Sequence, residues 1–215
     1  MAVRVVIWDL DGTLLDTLSD LAASTNYALA QCRRPLRSRE EVRMMVGNGV
    51  PNLIRRALGE DGADCFEDAL SLFLRHYHVH DRDETVPYPG IMELLSHLSD
   101  KGIVHSVVSN KVDSAVRELC DFYFGESIAL CVGDDPSRRK KPAPDSVLHV
   151  LKTLGVEKEE AVYVGDSEVD IETARNAGVR GIGVLWGFRD REVLIQAGAQ
   201  ELVRTPQELE ERILH

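Results

Sequence analysis

Val3-Arg4-Val5-Val6-Ile7-Trp8-Asp9-Leu10-Asp11-Gly12-Thr13 is the stretch on which the reading of this chain turns. Val3–Trp8, apolar apart from Arg4, reads as a first, buried strand. Two carboxylates at the mouth of such a strand are costly to keep as ordinary core. Residues i and i+2 share a side of a strand, and the chain turns beyond its end, so Asp9 and Asp11 can both point into one crevice. Gly12 supplies a sharp turn and Thr13 a hydroxyl. Taken alone, Asp-Gly is also a common turn pair, so the meaning of the two acids depends on what the remaining chain brings to them.

The chain has 215 residues, enough for one sizeable core or for a core carrying a smaller inserted domain. With 25 Lys and Arg against 36 Asp and Glu, the formal net charge is -11, which argues against a nucleic-acid binder or a membrane-surface protein. An anionic ligand would need positive charge supplied locally, by a metal, a lysine or helix N-termini. Cys32, Cys65, Cys120 and Cys131 are scattered without a C-x-x-C pair, the usage of reduced thiols in a cytoplasmic protein. The apolar run at the amino terminus is short for a signal peptide, and no segment approaches the ~20 apolar residues of a membrane span. The expectation is a soluble, cytoplasmic protein, monomeric or homodimeric.

The chain changes character twice. After the first strand, Leu21, Ala22, Leu29 and Ala30, then Leu53, Ile54, Ala57 and Leu58, then Leu70, Phe73, Leu74 and Tyr77 recur at helical spacing. Residues 17–82 therefore read as an all-helical insertion of about four helices, punctuated by Pro35 and by Gly47-Asn48-Gly49-Val50-Pro51. From Pro87-Tyr88-Pro89-Gly90 helices and strands alternate. Strands are expected at Ile103–Val108, Ile128–Val132, Ala161–Val164 and Gly181–Leu185. Helices are expected at Ile91–Leu98, Val112–Cys120, Ser146–Leu154, Ser167–Ala177 and Pro206–Ile213, three of them stopped by Gly102, Gly155 and Gly178. That alternation specifies an α/β protein with a doubly wound parallel sheet, a Rossmann-like core formed by 1–16 and 83–215, and an inserted all-helical cap domain at 17–82.

In such sheets, ligands bind beyond the carboxyl ends of the strands. The strand ends here carry Asp9-x-Asp11-Gly12-Thr13, Ser109-Asn110-Lys111 and Gly165-Asp166-Ser167-x-x-Asp170, and Lys141-Pro142-x-Pro144 lies between the last two. In order and approximate spacing these four motifs resemble the haloacid dehalogenase-like phosphatase superfamily, over nearly the whole chain. Trp8 stands where that family usually has Phe, a conservative departure.

The chemistry of the residues agrees with the resemblance. Phosphoryl transfer needs an in-line nucleophile and positive charge around the equatorial oxygens. Asp9 is the candidate nucleophile, through an aspartyl-phosphate, and Asp11 the acid that protonates the leaving alkoxide and then deprotonates the attacking water. Several carboxylates around one phosphate repel it unless a cation sits among them, and Mg²⁺ with oxygen ligands suits that need. Asp9 and Asp166 are candidate ligands, and Asp170 a ligand or an acceptor for metal-bound water. The resemblance adds the backbone carbonyl of Asp11. Ser109, with Asn110 and the following helix N-terminus, would hold a phosphate oxygen, as would Gly12 and Thr13. Lys141 would offset the charge of nucleophile and phosphate. His76, His78 and His80 alternate, but only His76 and His80 share a helix face and no third ligand is near in sequence.

The inserted domain should decide the substrate, a small phosphorylated metabolite. Its place directly after the first motif, and Gly47-Asn48-Gly49 before the Val50–Leu58 helix, resemble the phosphoglycolate phosphatase branch with a small helical cap; Gly187-Phe188 agrees with that branch. Backbone N–H groups at Gly47, Asn48 and Gly49 could meet a small carboxylate, or the segment could be a plain helix–helix turn. The resemblance implies 2-phosphoglycolate as the best single substrate. A phosphosugar mutase, a pyrophosphatase or a nucleotidase of the same fold is the alternative. A catalytically silent relative would be expected to lack Asp9, Asp11, Lys141 or Asp166, and all four are present.

Overall fold

The computed structural model describes residues 2–215. They form two compact units, one of 2–14 and 87–215, the other of 15–86. Strand β1 (Val5–Trp8) opens the first. The second contains β2 (Leu15–Asp16), α1 (Leu18–Gln31), α2 (Arg39–Met45), α3 (Val50–Leu58) and α4 (Phe66–His80), and the chain leaves it through β3 (Val86–Pro87), which pairs with β2. The first unit then continues with α5 (Ile91–Asp100), β4 (Val104–Val112), α6 (Asp113–Tyr123), β5 (Leu130–Asp134), α7 (Asp145–Leu154), β6 (Ala161–Gly165), α8 (Glu168–Ala177), β7 (Arg180–Val184), α9 (Arg191–Gln196), β8 (Glu201–Val203) and α10 (Pro206–Leu214).

Six strands make one parallel sheet in the order β5-β4-β1-β6-β7-β8. It is the doubly wound, Rossmann-like sheet that the alternation of elements specifies. β1 lies at its centre, with Val5 through Trp8 paired to Val104 through Val107 on one side and to Ala161 through Val164 on the other. All four of its residues are fully buried, as a parallel strand covered on both faces requires. On one face Val5, Ile7, Val108 and Val132 pack with Val147, Val150 and Ala174 from α7 and α8. On the other, Trp8 Nε1 donates to His105 Nδ1 at 3.2 Å, and His105 Nε2 bonds Leu95 O at 3.0 Å. Both ring nitrogens of His105 are thereby satisfied, and burial pushes its pKa down.

The order of the strands fixes where a ligand can sit. From β1 the chain goes to β4 and β5 on one flank, then crosses to β6, β7 and β8 on the other. The crevice at such a switch point, beyond the carboxyl end of β1, is the expected binding position in an open α/β sheet. Asp9 is the first residue past that end.

Three details differ from the sequence reading. β4 does not stop at Val108 but runs to Val112 through a register shift, so α6 begins at Asp113. The elements β8 and α9 are too short to show a period in sequence. The helical unit spans 15–86 instead of 17–82. The longer return arises because Asp20, buried in the first turn of α1, accepts from Glu84 N at 3.0 Å, Thr85 N at 2.9 Å and Thr85 Oγ1 at 2.7 Å, tying that segment to the helix.

Within the helical unit, Gly47 and Gly49 have positive φ of 118° and 81°, and Gly49 is the N-cap of α3. Asn52 Nδ2 donates to the Asn48 carbonyl at 2.9 Å. His76 Nδ1 bonds Ser24 Oγ at 3.0 Å, its ring stacks between Tyr27 and His80, and His80 bonds Asp83 at 2.7 Å. Those partners are structural. Among the described residues, no helix is long and apolar enough to cross a membrane.

Candidate active site

Four segments separated in sequence meet at the carboxyl end of β1, all within the unit that holds the sheet. Asp9 leaves the strand with its N–H donating to Val164 O at 2.8 Å, so its place is fixed by the neighbouring β6. Its Oδ1 accepts from Lys141 Nζ at 2.8 Å. The same ammonium reaches Asp170 Oδ1 at 2.7 Å and Tyr163 Oη at 3.0 Å. Asp9, Asp166 and Asp170 offer carboxylate oxygens within 4.8 Å of one another, and all three are buried. Burial first, then the charge of Asp170, pushes Asp9 well above the usual carboxylate range, with Lys141 opposing. Burial and Asp170 likewise push Asp166 up to about 7. Burial would push the Lys141 ammonium down, but Asp170 and Asp9 hold it well above its ordinary value.

Three buried carboxylates face one buried ammonium, an excess of two negative charges. Buried charge is tolerated when paired or bound to metal, and a divalent cation would match this excess. Oxygen donors alone, on rigid backbone, suit a hard ion such as Mg²⁺. Asp9 and Asp166 fit such an ion. Asp170 is already engaged by protein donors. Its Oδ1 accepts from Lys141 Nζ and Tyr163 Oη, and its Oδ2 from Ser167 N at 3.1 Å and Ser167 Oγ at 2.6 Å. A carboxylate has about four lone-pair sites, and Lys141 and the Ser167 backbone and hydroxyl occupy three of them, with the Tyr163 hydroxyl beside the fourth. Asp170 holds Lys141 and caps the start of α8.

Asp166 is enclosed by backbone. Its Oδ1 accepts from Thr13 Oγ1 at 3.2 Å and its Oδ2 from Phe188 N at 2.6 Å. A Cβ on Gly12, whose φ is +89°, would lie 2.4 Å from Asp166 Oδ2. One on Gly187 would lie 2.3 Å from both Asp166 Cβ and Gly12 O. Glycine is required at both positions because the backbone passes directly against the acid. The sequence offers Gly12 and Thr13 to substrate; in the structure both lie against Asp166 and help to position it.

Asn110 holds the backbone of Lys141. Its Oδ1 accepts from Lys141 N at 2.9 Å and its Nδ2 donates to Lys141 O at 3.1 Å, so the amide clamps the backbone that presents the lysine. Ser109 Oγ accepts from Lys111 N at 3.2 Å. Asp11 is bound through both oxygens by Lys111 Nζ, at 2.8 and 2.9 Å. Gly47, Asn48 and Gly49 belong to the helical unit, at the start of α3.

The sequence reading missed Lys111, Tyr163 and the Phe188 amide. Tyr163 could have been noticed as a polar-tipped aromatic two residues before Gly165 in an otherwise apolar strand. Lys111 stood at a strand end beside Ser109 and Asn110, but its pairing with Asp11 follows from the irregular end of β4, where the register shifts between Val108 and Val112. For Phe188 the sign was Gly187, whose close packing only the fold reveals.

A Rossmann-like sheet with buried acids and a lysine at its switch point defines a class of phosphoryl-transfer hydrolases. The chain belongs to the haloacid dehalogenase-like hydrolase family, whose model matches residues 6–184. It is 37% identical over 192 residues to a phosphoglycolate phosphatase of Pseudomonas savastanoi pv. phaseolicola, covering 86% of this chain and 70% of the relative. A phosphoglycolate phosphatase of Pseudomonas putida is 38% identical with the same coverage. A crystal structure from Lactobacillus delbrueckii subsp. bulgaricus, named provisionally as a phosphoglycolate phosphatase, superposes with a TM-score of 0.96 at 36% identity, covering 100% of this chain and 99% of the other. The protein is a phosphatase, and within its family it is similar to the phosphoglycolate phosphatases.

Proposed function

We propose that this phosphatase hydrolyses a small phosphorylated metabolite, with 2-phosphoglycolate as its best single substrate, through an aspartyl-phosphate on Asp9. Asp9 Oδ1 is held by Lys141, which leaves the other oxygen to attack phosphorus in line with the leaving group. The ester P–O bond breaks as the Asp9–phosphorus bond forms, and the departing alkoxide takes a proton from Asp11. Water then attacks the aspartyl-phosphate, giving its proton to Asp11, and inorganic phosphate leaves with Asp9 restored. Lys141 stays ionised throughout and offsets charge on the phosphoryl oxygens. Ser109 and the backbone past β1 supply donors to those oxygens. Asp9, Asp166 and the Asp11 carbonyl would hold Mg²⁺. When bound, it neutralises the excess carboxylate charge and draws the phosphate toward the acids.

The observation that carries this reading is the group of three buried carboxylates around one buried lysine at the end of β1. The substrate assignment draws support from the named relatives. The composition and the lack of a membrane-crossing helix among the described residues support a cytoplasmic enzyme.

The test is phosphate release from 2-phosphoglycolate with Mg²⁺, by wild type and Asp9→Asn. Wild type should release phosphate and the variant should be inactive at every Mg²⁺ concentration. Full turnover by Asp9→Asn would remove the nucleophile assignment. Wild type inactive on 2-phosphoglycolate but active on other phosphomonoesters would remove only the substrate.

A further inference from the structure

The four cysteines, scattered in sequence, come together in the fold as two pairs. Cys120 of α6 meets Cys131 of β5, and both are buried in the unit that holds the sheet. Cys32, the C-cap of α1, meets Cys65, the N-cap of α4, and both are half-buried. This second pair lies wholly in the helical unit and includes no residue of the phosphatase site.

Cys32 and Cys65 line one surface cavity of about 380 Å³, together with Asp68 and Arg75. Cys65 Sγ donates to Gly62 O at 3.3 Å and also meets the guanidinium of Arg34, which is itself held by Asp64 Oδ1 at 2.6 Å. A thiol reached by solvent and set beside a guanidinium has the surroundings in which cysteine reacts, whereas a thiol enclosed in the core is inert. Disulfides of cytoplasmic proteins are usually transient and serve redox chemistry. Such a bond needs a second thiol already in place, and Cys32 is that thiol.

We propose that Cys32 and Cys65 are a modification site for hydrogen peroxide, which joins them in a reversible disulfide within the native helical unit. The Cys65 sulfur attacks one peroxide oxygen, the O–O bond breaks, and the departing hydroxide leaves as water with the thiol proton. The Cys32 sulfur then attacks the sulfenic acid on Cys65. The S–S bond forms, the S–OH bond breaks, and a second water carries off the Cys32 proton. Each sulfur gives up one electron and the peroxide takes both. The first attack falls to Cys65 because Arg34 lies beside it, whereas burial and then the Cys65 thiol push the Cys32 thiol up. The bond would close the loop that carries α2 and α3, which removes conformations from the unfolded chain.

The experiment treats the folded full-length protein with hydrogen peroxide, blocks the remaining thiols with iodoacetamide and maps the peptides without reduction. A peptide linked through Cys32 and Cys65 should appear, with Cys120 and Cys131 still thiols, and dithiothreitol should reverse it. Cys32→Ser should stop at a sulfenic acid on Cys65, which dimedone traps. Cys65→Ser should leave Cys32 a free thiol at the same dose. The linked protein should melt about 5–10 °C above the reduced protein. A link between Cys120 and Cys131 in its place, sulfinic acid on Cys65 without a link, or no thiol consumed at a dose that oxidises free cysteine overturns the proposal. A linked protein that melts no higher than the reduced one also overturns it, because the native fold would then not accommodate the bond. Cys32 consumed in Cys65→Ser as fast as the pair in wild type overturns the mechanism.

Discussion

The carboxylate of Asp170 holds the ammonium of Lys141 at 2.7 Å, and the same ammonium touches Asp9 at 2.8 Å. Asp170, which the sequence offers as a metal ligand or as an acceptor for metal-bound water, anchors the lysine that faces the nucleophile. Asp170 is fully buried, and Lys141, Ser167 and Tyr163 surround its carboxylate.

Asp170→Asn should therefore damage catalysis more than metal binding. An amide NH₂ facing either Lys141 or Ser167 opposes two donors with two donors. We expect kcat to fall by about 10²–10³, the usual loss when a charge-stabilising group is displaced, with Mg²⁺ affinity changed by less than about tenfold. Steady-state kinetics across a Mg²⁺ titration checks this. A loss confined to Mg²⁺ affinity would restore Asp170 as a ligand.

The raised pKa of Asp166 couples stability to pH and metal. Its carboxyl is pushed up to about 7 by burial and Asp170, from an ordinary value of 3.8. The metal-free fold binds this proton more tightly than the unfolded chain does, so the stability it contributes is present below about pH 4 and lost as pH rises through 7. A divalent cation competes with that proton and takes over its role at higher pH. Mg²⁺ should raise Tm more at pH 8 than at pH 6, measurable by thermal melts with and without chelator. An equal shift at both values would contradict the assignment of Asp166.

Gly187→Ala should weaken the metal site from outside the four motifs. Its added Cβ would meet Asp166 Cβ and Gly12 O, both at 2.3 Å, with no flexible side-chain end to yield. Overpacking of this kind costs about 1–3 kcal/mol, and displacement of the acid should reduce Mg²⁺ affinity about 10- to 100-fold. Calorimetric titration with Mg²⁺ and a urea melt measure the two effects.

Asp20→Ala should loosen the helical unit. The carboxylate is the shared acceptor for two backbone N–H groups and one hydroxyl of Glu84 and Thr85. Leaving those donors unsatisfied should cost about 3 kcal/mol, seen in a urea melt, and expose the 81–86 return segment to limited proteolysis. Asp20→Asn, which keeps one acceptor oxygen, should recover part of the loss.

Sequence alone determined the class of sheet, the helical insertion and the strand ends that carry Asp9, Asp11, Ser109 and Asp166. These follow from local periodicity, glycine stops and the rule that ligands gather beyond parallel strands, all of which act over a few residues. The tertiary structure decided which side chain each of them meets. Lys111 reaches Asp11 across 100 residues of chain, and Lys141 reaches Asp170 across 29. Those pairings depend on the register of β1 between β4 and β6 and on the shift within β4. A one-residue change in register turns a side chain to the opposite face. The opening Asp9-Leu10-Asp11 thus announced two acids at one crevice; only the fold gave each acid a lysine of its own.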